Sequence, residues 1–222
     1  MRTLGIATIG QAPRDDIADL FASQLPTGTK IFLRGALDGL SDADVDALRP
    51  ESGADTLYTR LRGGRDVKIS KKAVIARSPE VLARLREAGC DVLVYACTGD
   101  FPPMEGDEGV LFPSRVLAGI AGGLLPRGRL GILIPLAEQA EKLASKWARP
   151  GVEVVAEALA PSAGAKEADA AARRLAARKP DLVAMDCMSY TPMTKAWVKP
   201  GLGVPTLLAI TATGRVLREM LD

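Results

Sequence analysis

The chain of 222 residues contains no histidine. Without an imidazole it cannot build a Ser-His-Asp or Cys-His nucleophilic centre, and histidine is excluded as a metal ligand. Any acid–base chemistry must therefore rest on Cys, Asp, Glu, Lys or Tyr side chains. Cysteine is also scarce: there are three, and no pair has the CxxC spacing. This argues against a disulfide framework and against a zinc site, so we expect no bound metal.

Long apolar runs and a strong excess of one charge are absent as well. No stretch of 18 apolar residues is available to cross a membrane. A net charge of +2, from 29 basic and 27 acidic residues, provides no electrostatic case for nucleic-acid binding. The first residues lead directly into a strand and lack a signal-peptide pattern. We therefore expect a cytosolic protein with reduced thiols.

Two segments of the sequence follow the same pattern. Asp91–Ala96 is a short apolar run, typical of a buried parallel strand, and Cys97 follows it. Asp181–Asp186 is followed by Cys187, so both segments read Asp, five residues, Cys. Ligands of open α/β sheets bind at the carboxyl ends of the strands. We expect the two thiols at the ligand-binding ends of equivalent strands, facing each other across a cleft.

A second repeated signal indicates a duplicated half. A Gly-Ile strand begins at Gly5 and again at Gly131, which is 126 positions later, whereas Cys97 and Cys187 are 90 positions apart. If the halves are duplicated, the first carries about 36 extra residues. The hairpin region Leu40–Ser70, which contains a Gly-Gly turn, is the predicted insertion.

These patterns predict an α/β fold of two pseudo-symmetric lobes with parallel sheets. The first lobe is expected to cover residues 1–112, completed by a C-terminal helix at 211–222, and the second to cover 113–210. A short strand is predicted at Val110–Phe112. Lys195, Trp197 and Lys199 are predicted to lie in a loop, with surface contacts as the default interpretation and coverage of the cleft as the alternative.

The loop after the first strand, Thr3–Ile9, is a candidate anion site. Asp15 and Asp16 stand where acidic residues favour the start of a helix, and helix starts attract anions. The groups available to bind an anion are the loop amides and Thr8, Gly10, Gln11 and Arg14. The alternative is an ordinary turn in which Arg14 pairs with Asp15 or Asp16 on the surface.

The cysteines also have more than one interpretation. A nearby cation such as Arg14 or Arg115 can lower the pKa of a thiol from its ordinary value of about 8.5. A buried cysteine can equally be a small packing residue, which is the interpretation for Cys90. The aspartates beside the two other cysteines, Asp100 and Asp186, could act as an acid or base or could cap a turn.

Four segments together resemble the AroM family over essentially the whole chain, namely Thr8–Arg14, Cys97–Phe101, Pro113–Arg115 and Asp186–Met188. That family is similar to a branch of the aspartate/glutamate/hydantoin racemase superfamily. The resemblance implies two pseudo-symmetric α/β lobes with a strand-end cysteine in each. Superfamily members include cofactor-independent amino-acid racemases, maleate isomerase and arylmalonate decarboxylase, so no cofactor is expected.

The resemblance also implies site residues. Cys97 with Thr98 is similar to the first racemase signature, and Cys187 aligns with the second, where Met188 and Ser189 replace Thr and His. It implies a cofactor-independent racemase or isomerase of a small carboxylate, with Cys97 and Cys187 as two bases. The expected substrate-binding residues are Thr8, Gly10, Gln11, Arg14, Thr98, Gly99, Ser114, Arg115, Met188 and Ser189.

Two alternatives to the two-base enzyme stay open. One is a decarboxylase or cis–trans isomerase that uses a single cysteine. The other is a non-catalytic protein that binds or senses a small acid. A homodimer is compatible with each of these functions.

Overall fold

The computed structural model describes residues 2–222, apart from the side chain of Lys142. It divides into two units. The first unit runs to Pro113 and includes Gly214–Asp222, and the second unit is Ser114–Thr213. Each unit has its own parallel sheet with helices, which confirms the predicted α/β class. Within the described residues, no helix is long and apolar enough to span a bilayer.

The elements of the first unit, in chain order, are β1 (Thr3–Thr8), α1 (Asp15–Ala22), β2 (Lys30–Gly35), α2 (Asp42–Ala47), β3 (Thr56–Arg60), β4 (Asp66–Ser70), α3 (Lys71–Glu87) and β5 (Val92–Tyr95). The elements that follow are α4 (Pro113–Leu124), β6 (Gly128–Ile134), α5 (Ala140–Trp147), β7 (Val152–Ala158), α6 (Ala165–Ala176), β8 (Leu182–Met185), α7 (Pro192–Leu202), β9 (Thr206–Leu208) and α8 (Ala209–Leu221).

The sheet of the first unit is fully parallel, in the order β2-β1-β5. Ile6 of the central strand lies opposite Leu33 and Val94, and its side chain is fully buried. The predicted strand Val110–Phe112 is wrong, because only Leu111 forms a bridge, to Val94. Pro113 begins α4 immediately afterwards, which leaves no length for a ladder.

The sheet of the second unit has the order β7-β6-β8-β9, and its strands are also parallel. The Gly-Ile strands β1 and β6 hold equivalent positions, each beside the strand that is followed two residues later by a cysteine. Gly5 pairs with Leu93 and Gly131 with Val183, and a Cβ added at these glycines would lie 2.4 Å from the Leu93 side chain and 3.1 Å from that of Val183. The same close strand approach in both units supports the duplication.

The extra residues of the first half form a separate antiparallel hairpin, β3–β4, in which Leu57 pairs with Ile69. In the second unit, residues 159–164 alone connect β7 to α6. The insertion is therefore where the spacing predicted it. Leu57 and Ile69 belong to the core of the first unit, so the hairpin is packed as part of that unit.

The predicted loop around Lys195, Trp197 and Lys199 is wrong, because these residues lie in helix α7. The Thr191 side chain caps the helix by accepting a hydrogen bond from the Thr194 N–H at 3.1 Å. Pro192 then occupies the first turn, where its missing N–H is harmless. The second proline of the segment, in the last turn, gave the sequence the character of a loop.

Asp55 connects the hairpin to α3. Its carboxylate accepts hydrogen bonds from the N–H groups of Lys72 at 3.0 Å and Glu51 at 3.4 Å. Burial acts to raise the pKa of Asp55, but the hydrogen bonds from Ser70, Lys72 and Glu51 outweigh it, so the pKa lies below its ordinary value.

Replacing Asp55 with asparagine should therefore lower stability in a pH-dependent way. A depressed pKa stabilises the fold above the ordinary Asp value of about 3.9, and that stability is lost as the pH falls through the lower folded value. We expect D55N to cost roughly 1 kcal/mol near neutral pH. Urea unfolding at several pH values measures this, and a cost that stays constant down to about pH 3 would contradict the linkage.

Candidate functional site

The carboxyl ends of β1 and β5 lie side by side in the first unit. Ala7 is in register with Tyr95, and the Ala96 N–H donates to the Ala7 carbonyl at 2.7 Å. The loop that follows β1 and the turn that follows β5 at Cys97 therefore share one edge of the sheet. This is the edge at which ligands bind in open α/β sheets.

Cys97 lies in a tight turn whose backbone reaches the sulfur. The Gly99 N–H donates to Cys97 Sγ at 3.3 Å, and the Cys97 N–H donates to the Tyr95 carbonyl at 2.6 Å. Gly99 is needed for close packing, because an added Cβ would lie 2.8 Å from the Phe101 ring and 3.3 Å from Leu57. Thr98 between them is buried.

Tyr95 has a packing role beneath this turn. Its hydroxyl is 2.6 Å from Ser78 Oγ, which in turn donates to the Val74 carbonyl at 2.8 Å. Its ring contacts Phe101 and Phe112. Burial, followed by the nearby charge on Cys97, raises the pKa of Tyr95 far above its ordinary value, against the hydrogen bond with Ser78. The phenol therefore stays neutral and anchors the strand.

The loop after β1 is held by hydrogen bonds and by close packing against the hairpin. The Gly10 N–H donates to Thr8 Oγ1 at 3.3 Å, and the Gly10 carbonyl accepts from the Leu37 N–H at 3.0 Å. The hairpin closes over the glycine: a Cβ at Gly10 would lie 2.5 Å from both the Arg60 carbonyl and Thr59 Oγ1. Only glycine fits between these neighbours without displacing the hairpin backbone.

Gln11 joins this loop to two other segments. Its Nε2 donates to the carbonyls of Leu40 at 3.0 Å and Leu37 at 3.3 Å, and its Oε1 accepts from the Arg62 N–H at 3.3 Å. The carboxamide thus holds the loop between the hairpin and the segment after β2. The sequence predicted a ligand contact for Gln11 and carries no signal of this role, because the partners of Gln11 are distant in sequence.

Arg14 is buried, with 4% of its surface exposed, and it pairs with Asp16. Two parallel contacts of 2.8 Å join Nε to Oδ1 and Nη2 to Oδ2. Burial acts to raise the pKa of Asp16, but hydrogen bonding and the charge of Arg14 lower it below the ordinary value. The pairing offered as the alternative is thus present, although the guanidinium is inside the protein rather than on its surface.

In the second unit, Cys187 follows β8 and is buried, and the aspartate before it is held by three hydrogen bonds. Both Asp186 carboxylate oxygens accept from Lys146 Nζ, at 3.0 and 2.9 Å, and Oδ2 also accepts from Trp147 Nε1 at 2.8 Å. The Asp186 side chain is 0% exposed and that of Lys146 10%. This ion pair anchors the end of α5 to the residue next to Cys187.

The remaining predicted residues of the second unit lie at two places. Met188 is buried and Ser189 half-buried in the turn after Cys187, where the Tyr190 hydroxyl donates to the Leu159 carbonyl at 2.5 Å. Ser114, which is buried, and Arg115, which is exposed, are in the first turn of α4.

The AroM protein family profile matches residues 4–221. The chain belongs to the AroM family. A search of curated proteins finds no match to this AroM chain. Within residues 2–222, no group of three or more Cys, Asp or Glu side chains is arranged to hold a metal ion.

Three solved structures that are similar to the AroM chain are those of enzymes. Arylmalonate decarboxylase is 16% identical, with 99% of this chain and 92% of that chain covered and a TM-score of 0.64. Glutamate racemase from Francisella tularensis subsp. tularensis SCHU S4, in complex with D-glutamate, is 14% identical, with 99% and 81% covered and a TM-score of 0.60. Maleate isomerase Iso from Pseudomonas putida S16 is 13% identical, with 100% and 94% covered and a TM-score of 0.63.

These similarities show that the AroM chain has the fold of the aspartate/glutamate racemase superfamily. At such low sequence identity these similarities establish the fold but not the reaction.

Proposed function

We propose that this AroM protein is a cofactor-independent racemase or isomerase that acts on a small carboxylate. The observation that carries the proposal is that, in each unit, a cysteine lies two residues after the strand beside the Gly-Ile strand. The similar folds of a racemase, an isomerase and a decarboxylase support the same class of chemistry. The three cysteines are free thiols, consistent with a reducing compartment such as the cytosol.

In the proposed reaction, Cys97 and Cys187 act on opposite faces of one carbon acid. One thiolate removes the proton next to the carboxylate, and the electron pair of the broken C–H bond moves into an enolate. The other thiol then returns a proton to that carbon and becomes the thiolate. Proton and charge balance without a cofactor, and the mechanism requires each sulfur to lie about 3–3.5 Å from the reacting carbon.

The proposed binding groups fall into two sets. Backbone N–H groups of the loop after β1, with Thr8 and Arg14 behind them, would hold the carboxylate, and Gly10 and Gln11 would shape that loop. Groups beside the two cysteines would contact the rest of the substrate and the developing enolate. These are Thr98, Gly99, Ser114, Arg115, Met188 and Ser189.

A single-cysteine reaction, either decarboxylation or cis–trans isomerisation, is the second candidate. It is favoured by the different surroundings of the two thiols. Cys97 is half-buried and receives the Gly99 N–H, whereas Cys187 is buried beside an ion-paired aspartate. Such unlike surroundings suit a mechanism in which Cys97 alone exchanges protons with the substrate.

Solvent-deuterium exchange tests the proposal. The two enantiomers of glutamate, and separately maleate and phenylmalonate, would be incubated with the protein in D₂O and followed by proton NMR. We expect deuterium at the carbon next to a carboxylate in at least one of them, in an exchange that depends on the protein. A compound that raises the melting temperature but is recovered unchanged and unlabelled would instead indicate a non-catalytic binding protein.

A further inference from the structure

A recess in the first unit lies between the carboxyl end of β2 and one face of α3. Its volume is about 80 Å³, and three arginine residues line it, Arg34, Arg77 and Arg84. Two carboxylates, Asp38 and Glu80, line it as well. Because a water occupies about 30 Å³ of the liquid, the recess has room for a small tetrahedral anion.

Arg77 is held in place by the backbone beside the recess. It is half-buried, and its Nε and Nη2 donate to the carbonyls of Ala36 and Asp38. Arg34 Nη1 donates to the Leu33 carbonyl at 3.0 Å. Among the described residues, neither Arg34 nor Arg77 has a carboxylate within ion-pair distance. Two guanidinium groups without a counter-ion therefore converge on one cavity.

The two acidic residues of the recess have partners of their own. Glu80 is 2.6 Å from Arg84 Nη2 on the same helix. The Asp38 carboxylate accepts from the Ala12 N–H at 2.7 Å and from the Gly35 N–H at 2.8 Å. Neither acid is therefore the counter-ion that Arg34 and Arg77 lack.

We propose that this recess is a binding site for a phosphate-class oxyanion. A guanidinium group offers a planar fork of donors that matches the oxygens of such an anion, and charged hydrogen bonds of this kind are among the stronger ones in proteins. The backbone contacts of Arg77 use Nε and one Nη2 donor and hold the guanidinium in place, which leaves three of its five donors for an anion and reduces the entropy lost on binding. The residues that line the recess include none of those proposed to bind the carboxylate, and the site does not depend on the proposed reaction.

Titration with inorganic phosphate at constant ionic strength, monitored by ³¹P NMR line width and by calorimetry, tests the site. We expect saturable binding with a Kd on the order of 1 mM. The double variant Arg34→Gln/Arg77→Gln should weaken binding at least tenfold. Glu80→Gln should tighten it by roughly threefold or more, because it removes a negative charge and releases Arg84.

The matched control is Lys30→Gln/Arg49→Gln, which removes the same charge from exposed positions of the same unit. Its phosphate affinity should equal that of the wild type. An equal loss in this control would show general charge attraction and overturn the site, as would the absence of saturation in the wild type. Methyl phosphate, titrated in the same way, distinguishes two sources of the anion: tighter binding than phosphate indicates a group carried by a larger molecule, and weaker binding indicates the free anion.

Discussion

Replacing Lys146 with methionine is expected to destabilise the second unit by about 3–5 kcal/mol. Methionine keeps the length and the apolar stem of the side chain but removes the ammonium group that pairs with Asp186. The Asp186 carboxylate, whose side chain is 0% exposed, would keep the hydrogen bond from Trp147 Nε1 but lose its cation. A buried charge that loses its counter-ion costs far more than the broken contact itself, because the group has already been removed from water.

Tryptophan fluorescence during urea unfolding measures this loss of stability in the second unit. The chain has two tryptophans, Trp147 and Trp197, and both lie in the second unit. The control Lys166→Met changes an exposed lysine of α6 and should stay within about 0.5 kcal/mol of the wild type. Adding Asp186→Asn to Lys146→Met should recover part of the loss, since no unpaired charge then remains. A loss below about 1 kcal/mol for Lys146→Met would mean that the pair behaves like an exposed one.

Replacing either Cys97 or Cys187 with alanine is expected to reduce deuterium exchange by roughly 10²- to 10⁴-fold, the usual contribution of a positioned acid or base. In the two-base mechanism each thiol has its own face of the substrate, so neither can substitute for the other. Exchange rates of the two variants, measured on the substrate identified by NMR, provide the comparison. A large loss in Cys97→Ala with a small one in Cys187→Ala would favour the single-cysteine reaction.

Cys90→Ala is the control for these substitutions. Cys90 precedes β5 and so lies at the opposite end of the strand from Cys97. Burial and then the charge of Asp91 raise the pKa of the Cys90 thiol, against a smaller opposing effect of Arg34. Its removal should leave exchange unchanged. Full retention of ligand binding in all three variants, with no exchange in the wild type, would support the binding-protein alternative.

Much of the fold could be predicted because its signals are local. The buried strands are short apolar runs, and Ser41 caps α2 in a reciprocal pair with Asp44, only three residues later. The insertion followed from a difference in spacing between two repeated motifs. Helix α7 was not predicted, because prolines near both of its ends are typical of a loop. Each proline is nevertheless tolerated, one in the first turn of the helix and one in the last.

The site was less predictable because its contacts connect distant positions. Gln11 and Arg62 are 51 positions apart, and Lys146 and Asp186 are 40 apart. Nothing in either local sequence distinguishes these side chains from exposed polar ones. Sequence patterns could nominate the thiols and the loop after β1, but they could not show which polar groups hold the loops and which remain for a ligand.

The junction between the hairpin and α3 has a mechanical consequence. Ser70 is both the last residue of β4 and the N-cap of α3, accepting from the Ala73 N–H at 3.3 Å. A mobile flap requires a flexible hinge, but β4 passes directly into α3 with no linker between them. At the other end of the hairpin, Asp55 is hydrogen-bonded to the first turn of α3. The β3–β4 hairpin, which packs against Gly10, is therefore a fixed part of the first unit. A ligand at this edge would meet a preformed surface, and little of its binding free energy would be consumed in closing a flap.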